Sequence, residues 1–158
     1  MKCICLTATA FLLLLVGCGK ITDEYRFDDE LPTTWEDMAN RTTDTLISQF
    51  WNTQGYFNYG SDESDLGFQY WPNAHAMDVV IDAYERTGDQ KYLAYFGPWF
   101  EGVRVKNGNT YYNVFYDDMQ WNALTMLRMY EITKEQRYMD AVLLLWEDIL
   151  KGWNTEFA

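Results

Sequence analysis

Two stretches of this chain are near-copies of each other, 46 residues apart. Tyr84-Glu85-Arg86-Thr87-Gly88-Asp89-Gln90-Lys91-Tyr92-Leu93 and Tyr130-Glu131-Ile132-Thr133-Lys134-Glu135-Gln136-Arg137-Tyr138-Met139 are identical at five of ten positions. Lys91/Arg137, Asp89/Glu135 and Leu93/Met139 keep their chemistry as well. A period of roughly 20 to 50 residues marks a supersecondary unit that stacks on its neighbour, because one such unit cannot bury its apolar face alone.

The flanks identify the unit. Met77, Val80, Ile81 and Tyr84 have the i, i+3, i+4, i+7 spacing of an amphipathic helix, and Ala123, Met126, Leu127 and Tyr130 keep it one period later. Beyond the second copy, Met139, Val142, Leu143, Trp146 and Leu150 form another stripe. Beyond the first, Leu93, Phe96 and Phe100 do the same, with Gly97-Pro98 expected to kink or divide the helix. An earlier stripe, Trp35, Met38, Thr42, Leu46 and Phe50, predicts one more helix. Each unit is thus helix, short turn, helix, and the fold class is all-α, built of stacked helical hairpins. Such hairpins stack in open solenoids or close into toroids of six pairs, the (α/α)6 barrel. A closed ring needs about six units, whereas this chain holds about two and a half. Residues 34–158 are therefore expected to be the N-terminal part of a partial (α/α)6 toroid, ahead of a small separate bundle or a self-assembling module. Between the helices, 52–67 reads as a loop rich in small polar and aromatic residues, and 103–114 as a small hairpin around Asn107-Gly108.

The first residues carry an address rather than a fold. Lys2, the apolar run from Ala8 to Val16 and small Gly17 have the form of a secretory signal over residues 1–17, too short for a comfortable membrane span. Leu15-Val16-Gly17-Cys18 resembles a bacterial lipobox, which makes Cys18 the expected lipidation site and membrane anchor. Cys3 and Cys5 fall in the removed segment, so no cysteine remains for a disulfide or a thiolate metal site. Residues 18–33, with Asp23, Glu24, Asp28, Asp29 and Glu30, read as an acidic tether. Gly19 lacks the aspartate of inner-membrane retention, and by resemblance to lipoprotein sorting this favours the outer membrane. The net charge of −12 argues against a nucleic-acid partner or a polybasic membrane patch.

Chemistry is expected at Tyr116-Asp117-Asp118-Met119-Gln120-Trp121, where two adjacent carboxylates open an apolar helical run. Neighbouring like charges repel, so one carboxyl keeps its proton while the other ionises. That division is what cutting a glycosidic bond requires. The plain alternative is a helix start, one Asp capping free N–H groups and the other meeting the positive dipole end. Aromatic residues make up 18% of the chain, enough to line a groove with flat faces for sugars. Trp71, Tyr116 and Trp121 are the candidate stacking rings, although an aromatic at the position of Trp121 is more often core. The sole histidine, His75, stands one period before Trp121, which places both on one rim. His75 is a candidate for sugar hydroxyls and also, through Asp78, for a structural pair. His75, Asp78 and Asp82 lack a further histidine or cysteine to complete a metal shell, and Asp82 with Arg86 reads as a surface pair. Neither a phosphate-cradling loop nor a Ser/His/Asp order stands out, so no cofactor or metal is expected.

Tyr70-Trp71-Pro72-Asn73-Ala74-His75-Ala76-Met77-Asp78 together with Tyr116-Asp117-Asp118-Met119-Gln120-Trp121-Asn122 resembles glycoside hydrolase family 76, the endo-acting α-1,6-mannanases. The resemblance runs from about Trp35 to Asn154 and covers only the first part of that family's domain. It implies an (α/α)6 barrel, a mannan-type polysaccharide as partner, and hydrolysis with retention by adjacent aspartates. Carried onto this chain, it makes Asp117 the nucleophile and Asp118 the acid/base. Two rivals stand beside it. One is a glycan-binding surface lipoprotein that cleaves nothing. The other is a different (α/α)6 enzyme, such as an unsaturated glucuronyl hydrolase or a sugar epimerase. An acidic substrate would call for an Arg/Lys cluster, which the segments around Trp71 and Asp117 lack.

Overall fold

The apolar periodicity becomes six α-helices among the described residues, 34–62 and 67–153 of this computed structural model. They are α1 (Trp35–Phe50), α2 (Tyr70–Thr87), α3 (Gln90–Leu93), α4 (Phe96–Lys106), α5 (Tyr116–Thr133) and α6 (Gln136–Ile149), followed by a 3-10 turn at Leu150–Gly152. An antiparallel ribbon, β1 (Trp51–Asn52) with β2 (Tyr56–Phe57), sits between α1 and α2 and was not foreseen. The first hairpin is α2 with α3 and α4, and the second is α5 with α6. The signal segment, Cys18 and the tether lie outside the described residues. No described helix is long and apolar enough to cross a membrane.

The repeated decapeptide is the turn inside each hairpin. α2 ends where Gly88 takes a left-handed φ of 67° and its N–H donates to Tyr84 O at 2.7 Å. α5 ends on Lys134, with φ 58° and the same bond to Tyr130 O at 2.7 Å. In both, the preceding threonine hydroxyl donates back into its helix and accepts the next N–H: Thr87 to Ala83 O and from Asp89, Thr133 to Met129 O and from Glu135. Tyr92 and Tyr138 then drop into the core at matching positions. The identities at Tyr, Thr and Tyr are thus positions where the turn is closed and anchored. α1 docks on the first turn through Arg86 to Asn40, and through Lys91 and Tyr92 to Asp44. The expected Asp82–Arg86 pair does not form, because each side chain finds a better-placed partner on another helix.

The expected division of the helix near Gly97-Pro98 is present, while three expectations about faces and loops are corrected. α3 and α4 are divided at Ala94-Tyr95, just ahead of Gly97-Pro98, so that Pro98 lies in the first turn of α4, where a missing N–H costs nothing. There is no hairpin at 103–114. α4 runs to Lys106, Gly108 and Asn109 take positive φ, and Asn107 Nδ2 closes a loop by donating to Thr110 O and Tyr112 O. The stripe Met139, Val142, Leu143, Trp146 and Leu150 is not the core face of α6. That face is Tyr138, Ala141, Leu145 and Ile149, while Leu143, Trp146 and Leu150 are about half exposed. α6 is therefore apolar on two sides. Its second side and α5 residues Ala123, Leu124 and Leu127 line an open groove of about 510 Å³. One period earlier, Phe96, Phe100 and Val103 hold the positions of Val142, Trp146 and Ile149, and all three are buried. The stacked-hairpin architecture thus covers the first unit with the second. On α1, likewise, Thr43 with Leu46, Ile47 and Phe50 faces inward, and Trp35 is 84% exposed.

A polar ladder joins α2 to α5. Asn122 Nδ2 donates to Tyr70 O at 3.2 Å, and Thr125 Oγ1 donates to Ala74 O at 3.3 Å. Arg128 then reaches Asp78, Asp82 and Glu85. Steps of three on α5 meet steps of four on α2, the pairing of i±3 and i±4 ridges. The ladder levels the two helix starts on one rim.

A non-glycine residue in the left-handed region carries a cost of about 1–2 kcal/mol, so Lys134→Gly, which copies Gly88, should raise stability by roughly 1 kcal/mol. Thermal unfolding followed by circular dichroism should show a higher Tm; an unchanged or lower one contradicts the equivalence of the two turns.

Candidate active site

The rim where α2 and α5 begin gathers most of the residues singled out in the sequence. Asp117 and Asp118 occupy the first turn of α5. The residue that caps this helix is Phe115, whose side chain makes no cap hydrogen bond. Among the described residues neither carboxylate takes part in a hydrogen bond or ion pair. The capping role open to them is therefore unfilled, and their acidity sits at the positive helix end without a partner. Asp117 is exposed and Asp118 is half-buried. Burial, and then repulsion from Asp117, push the Asp118 carboxyl above its usual range. Buried Tyr70, on α2, feels the same charge: its phenol is pushed up by burial and by Asp118. These are two acids in unequal surroundings, one of them held toward its protonated form.

Helix geometry sets what lies beneath. Trp121 follows Asp118 by three and Asp117 by four, so it stands on the face between them, one turn deeper. Its ring meets His75 at 4.7 Å between centroids, and His75 meets Trp71 at 5.6 Å edge-on. The levelled starts expected from the repeat are observed as this three-ring patch. Trp121 belongs to the surface, 43% exposed, and not to the core; Trp71 is 48% exposed. Tyr116 does not join the patch. Its ring lies against Gly152 of the 3-10 turn, on the other side of α5.

His75 Nδ1 lies 4.0 Å from Asp78, beyond hydrogen-bond range, and Asp78 instead accepts from Arg128 at 3.0 Å. Asp78 and Asp82 are thereby taken up in the ladder. Among the described residues no cluster of three metal-binding side chains occurs. The first two turns of both helices contain no Arg or Lys, and Arg128 is already shared among three carboxylates.

Two buried asparagines were missed in the sequence. Asn73 clips β2 to the start of α2: its Oδ1 accepts from Phe57 N at 2.7 Å and its Nδ2 donates to Phe57 O at 3.0 Å. Asn122 bridges α5 to α2, and its Oδ1 has no partner. Their signal was present, since an amide within the first turns of an apolar helix has to be satisfied by something.

A carboxyl whose folded pKa lies above its unfolded one binds more protons when folded. Asp118 therefore weakens the fold as pH rises through the window between the ordinary carboxylate value, near 4, and the raised one. Asp118→Asn should stabilise the protein near neutral pH by roughly half a kcal/mol. The gain should vanish below about pH 3, where both states are protonated. Tm values of the variant and parent at the two pH values check the sign, and a gain at the acid end alone contradicts it.

Comparison with known proteins relates the chain to glycoside hydrolases. A family model described as Glycosyl Hydrolase Family 88 matches residues 35–156. The chain is similar to the GH76A α-1,6-mannanase from Salegentibacter sp. HEL1_6, at 40% identity and a TM-score of 0.73, over 77% of this chain and 36% of that one. It is also similar to an inactive variant of that enzyme, with two consecutive aspartates changed to alanine, in complex with α-1,6-mannotetrose: 39% identity, TM-score 0.74, 77% and 35% covered. A third likeness is to the Lin0763 protein from Listeria innocua, at 31% identity and a TM-score of 0.66, covering 77% and 37%. The chain spans about a third of the length of these structures. No curated protein matches it.

Proposed function

This chain belongs to Glycosyl Hydrolase Family 88, and from that premise we propose that its parent domain hydrolyses α-1,6-mannosidic linkages with two aspartates. The observation that carries the reading is the unpartnered pair Asp117-Asp118 standing over the Trp71–His75–Trp121 patch on one rim. Residues 35–156 contain one Asp-Asp pair, and the mannanase with 39% identity is inactive when two consecutive aspartates are replaced. The family model carries the number 88 and the mannanase structures the number 76, so glycoside hydrolysis is common to both while the linkage rests on the structures.

The roles follow from the surroundings. Asp118, half-buried and pushed toward its protonated form, donates the proton to the leaving oxygen and later takes one from water. Asp117, exposed beside it, is the nucleophile that holds the sugar between the two steps. Trp71 and Trp121 offer ring faces, and His75 between them offers a polar edge. The supply of cations at the rim does not suit an acidic sugar, which sets a glucuronyl substrate behind a neutral one. A non-catalytic glycan binder would gain nothing from leaving two adjacent carboxylates unpaired.

The test is to express the full open reading frame encoding this chain and to measure oligosaccharide release from linear α-1,6-mannan. Asp117→Asn and Asp118→Asn should each lower kcat by about a hundredfold or more, with the fold intact by circular dichroism. Full activity in both would refute the assignment. Mannan binding without release by the parent would establish the binder.

The chain is further proposed to be exported and held at the outer membrane by lipid on Cys18. Metabolic labelling with a fatty-acid analogue should mark the parent and not Cys18→Ala; equal labelling of both refutes the anchor.

A further inference from the structure

Asn122 lies four residues after Asp118 on α5 and is fully buried in the seam with α2. Its Nδ2 uses both hydrogens on carbonyls, Asp118 O at 3.0 Å within its own helix and Tyr70 O at 3.2 Å across the seam. The amide cannot be turned over, because Oδ1 would then face two carbonyl oxygens. Its Oδ1 is consequently a buried acceptor without a partner. A position serving packing alone would avoid that defect by being apolar. The first repeat does so at the equivalent place: one period earlier the position of Asn122 is filled by Ala76, which packs against the core. An amide is thus present at the start of the one described inner helix that carries the aspartate pair, and it joins the backbone of Asp118 itself to the rim of α2.

We propose that Asn122 is a positioning residue for Asp118, a buried amide that ties the Asp118 carbonyl to the Tyr70 carbonyl and so fixes the carboxylate pair in height against Trp71 and His75. The proposal rests on the hydrolase reading, but its geometry can be tested without activity. Tyr70 is where three constraints meet. Its carbonyl takes Asn122, its hydroxyl donates to Tyr111 O at 2.6 Å, and its ring is buried. The α2 side of the tie therefore cannot drift, and movement of the α5 start is restrained against a fixed point. The charge that acts on Asp118 is that of Asp117 on its own helix, and across the seam Asp118 in turn helps burial to push up the Tyr70 phenol of α2. Loosening the tie lets Asp118 turn outward to water, away from the burial that holds its proton.

Two variants separate positioning from mere support. Asn122→Ala removes the tie beneath Asp118; Thr125→Val removes the next rung, one turn deeper, with the shape kept. Carboxyl carbon NMR titration of the expressed chain, with thermal unfolding alongside, gives the readout. In Asn122→Ala the Asp118 midpoint should fall toward the ordinary carboxylate range, while in Thr125→Val it should stay at the parent value even if Tm drops. In the mannan assay, Asn122→Ala should lower kcat on the order of tenfold to a hundredfold, with KM within about twofold. The pH limb belonging to the acid should shift in the same direction. If Asn122→Ala does not fold, Asn122→Ser, which keeps one donor, takes the same measurements and should move Asp118 part of the way. An Asp118 midpoint unchanged in the position-122 variant, or moved equally by Thr125→Val, overturns the proposal. Absence of mannan hydrolysis by the parent overturns the hydrolase reading and leaves the titration to judge the tie.

Discussion

The hydrogen-bonded seam between α2 and α5 is the constraint on which the site depends. Apolar contacts between two helices are nearly non-directional and allow one helix to slide along the other with little change in buried area. Carbonyls and carboxylates are not so tolerant. Tyr70 O, Ala74 O, Asp78 and Asp82 succeed each other along α2 at steps of four, and Asn122, Thr125 and Arg128 answer at steps of three. A slide of one turn would leave Asn122 and Thr125 facing the wrong neighbours where water cannot replace them, and would part Arg128 from its carboxylates. The register of the two inner helices is therefore fixed by polar groups, and the apolar side chains around them supply most of the stabilisation.

From that register the rim follows. With both starts level, His75 and Trp121 are in ring contact, Trp71 extends the patch, and the aspartates stand above it. The first turn of α5 is locally imperfect as a helix start. It has Phe115 as its cap, two neighbouring like charges, and a buried acceptor left unmet just below. The repulsion within the pair and the unmet acceptor each lower stability locally. The corresponding turn of α2 places Tyr70 and Trp71 where α5 has Tyr116 and Asp117, so the same backbone position carries a ring in one unit and a carboxylate in the next.

The repeat also explains the open groove beside α6. A unit whose outer helix is apolar on two sides has one side for its own partner and one for a following unit. In the first unit that second side, with Phe96, Phe100 and Val103, is covered, and Phe100 meets Tyr138 at 5.0 Å. In the second unit the equivalent residues line the groove. The stripe most visible in the sequence of α6 was for this reason its outer one, and the inner one, Tyr138, Ala141, Leu145 and Ile149, was harder to see beside it.

Periodicity and self-similarity determined the helices, their pairing into hairpins and the common level of His75 and Trp121, because helix geometry and a fixed period carry over from one dimension to three. Only the tertiary structure decided which face of each helix is inside, that 103–114 turns instead of forming a hairpin, that Tyr116 leaves the patch for Gly152, and that Arg128 rather than His75 or Arg86 takes the acids of α2. These depend on which neighbour reaches a group first across a seam. The same holds for Asn73 and Asn122, whose meaning lies in backbone carbonyls that the sequence does not display. A side-chain pattern shows what a segment prefers to hide; the choice among partners is made where the segments meet.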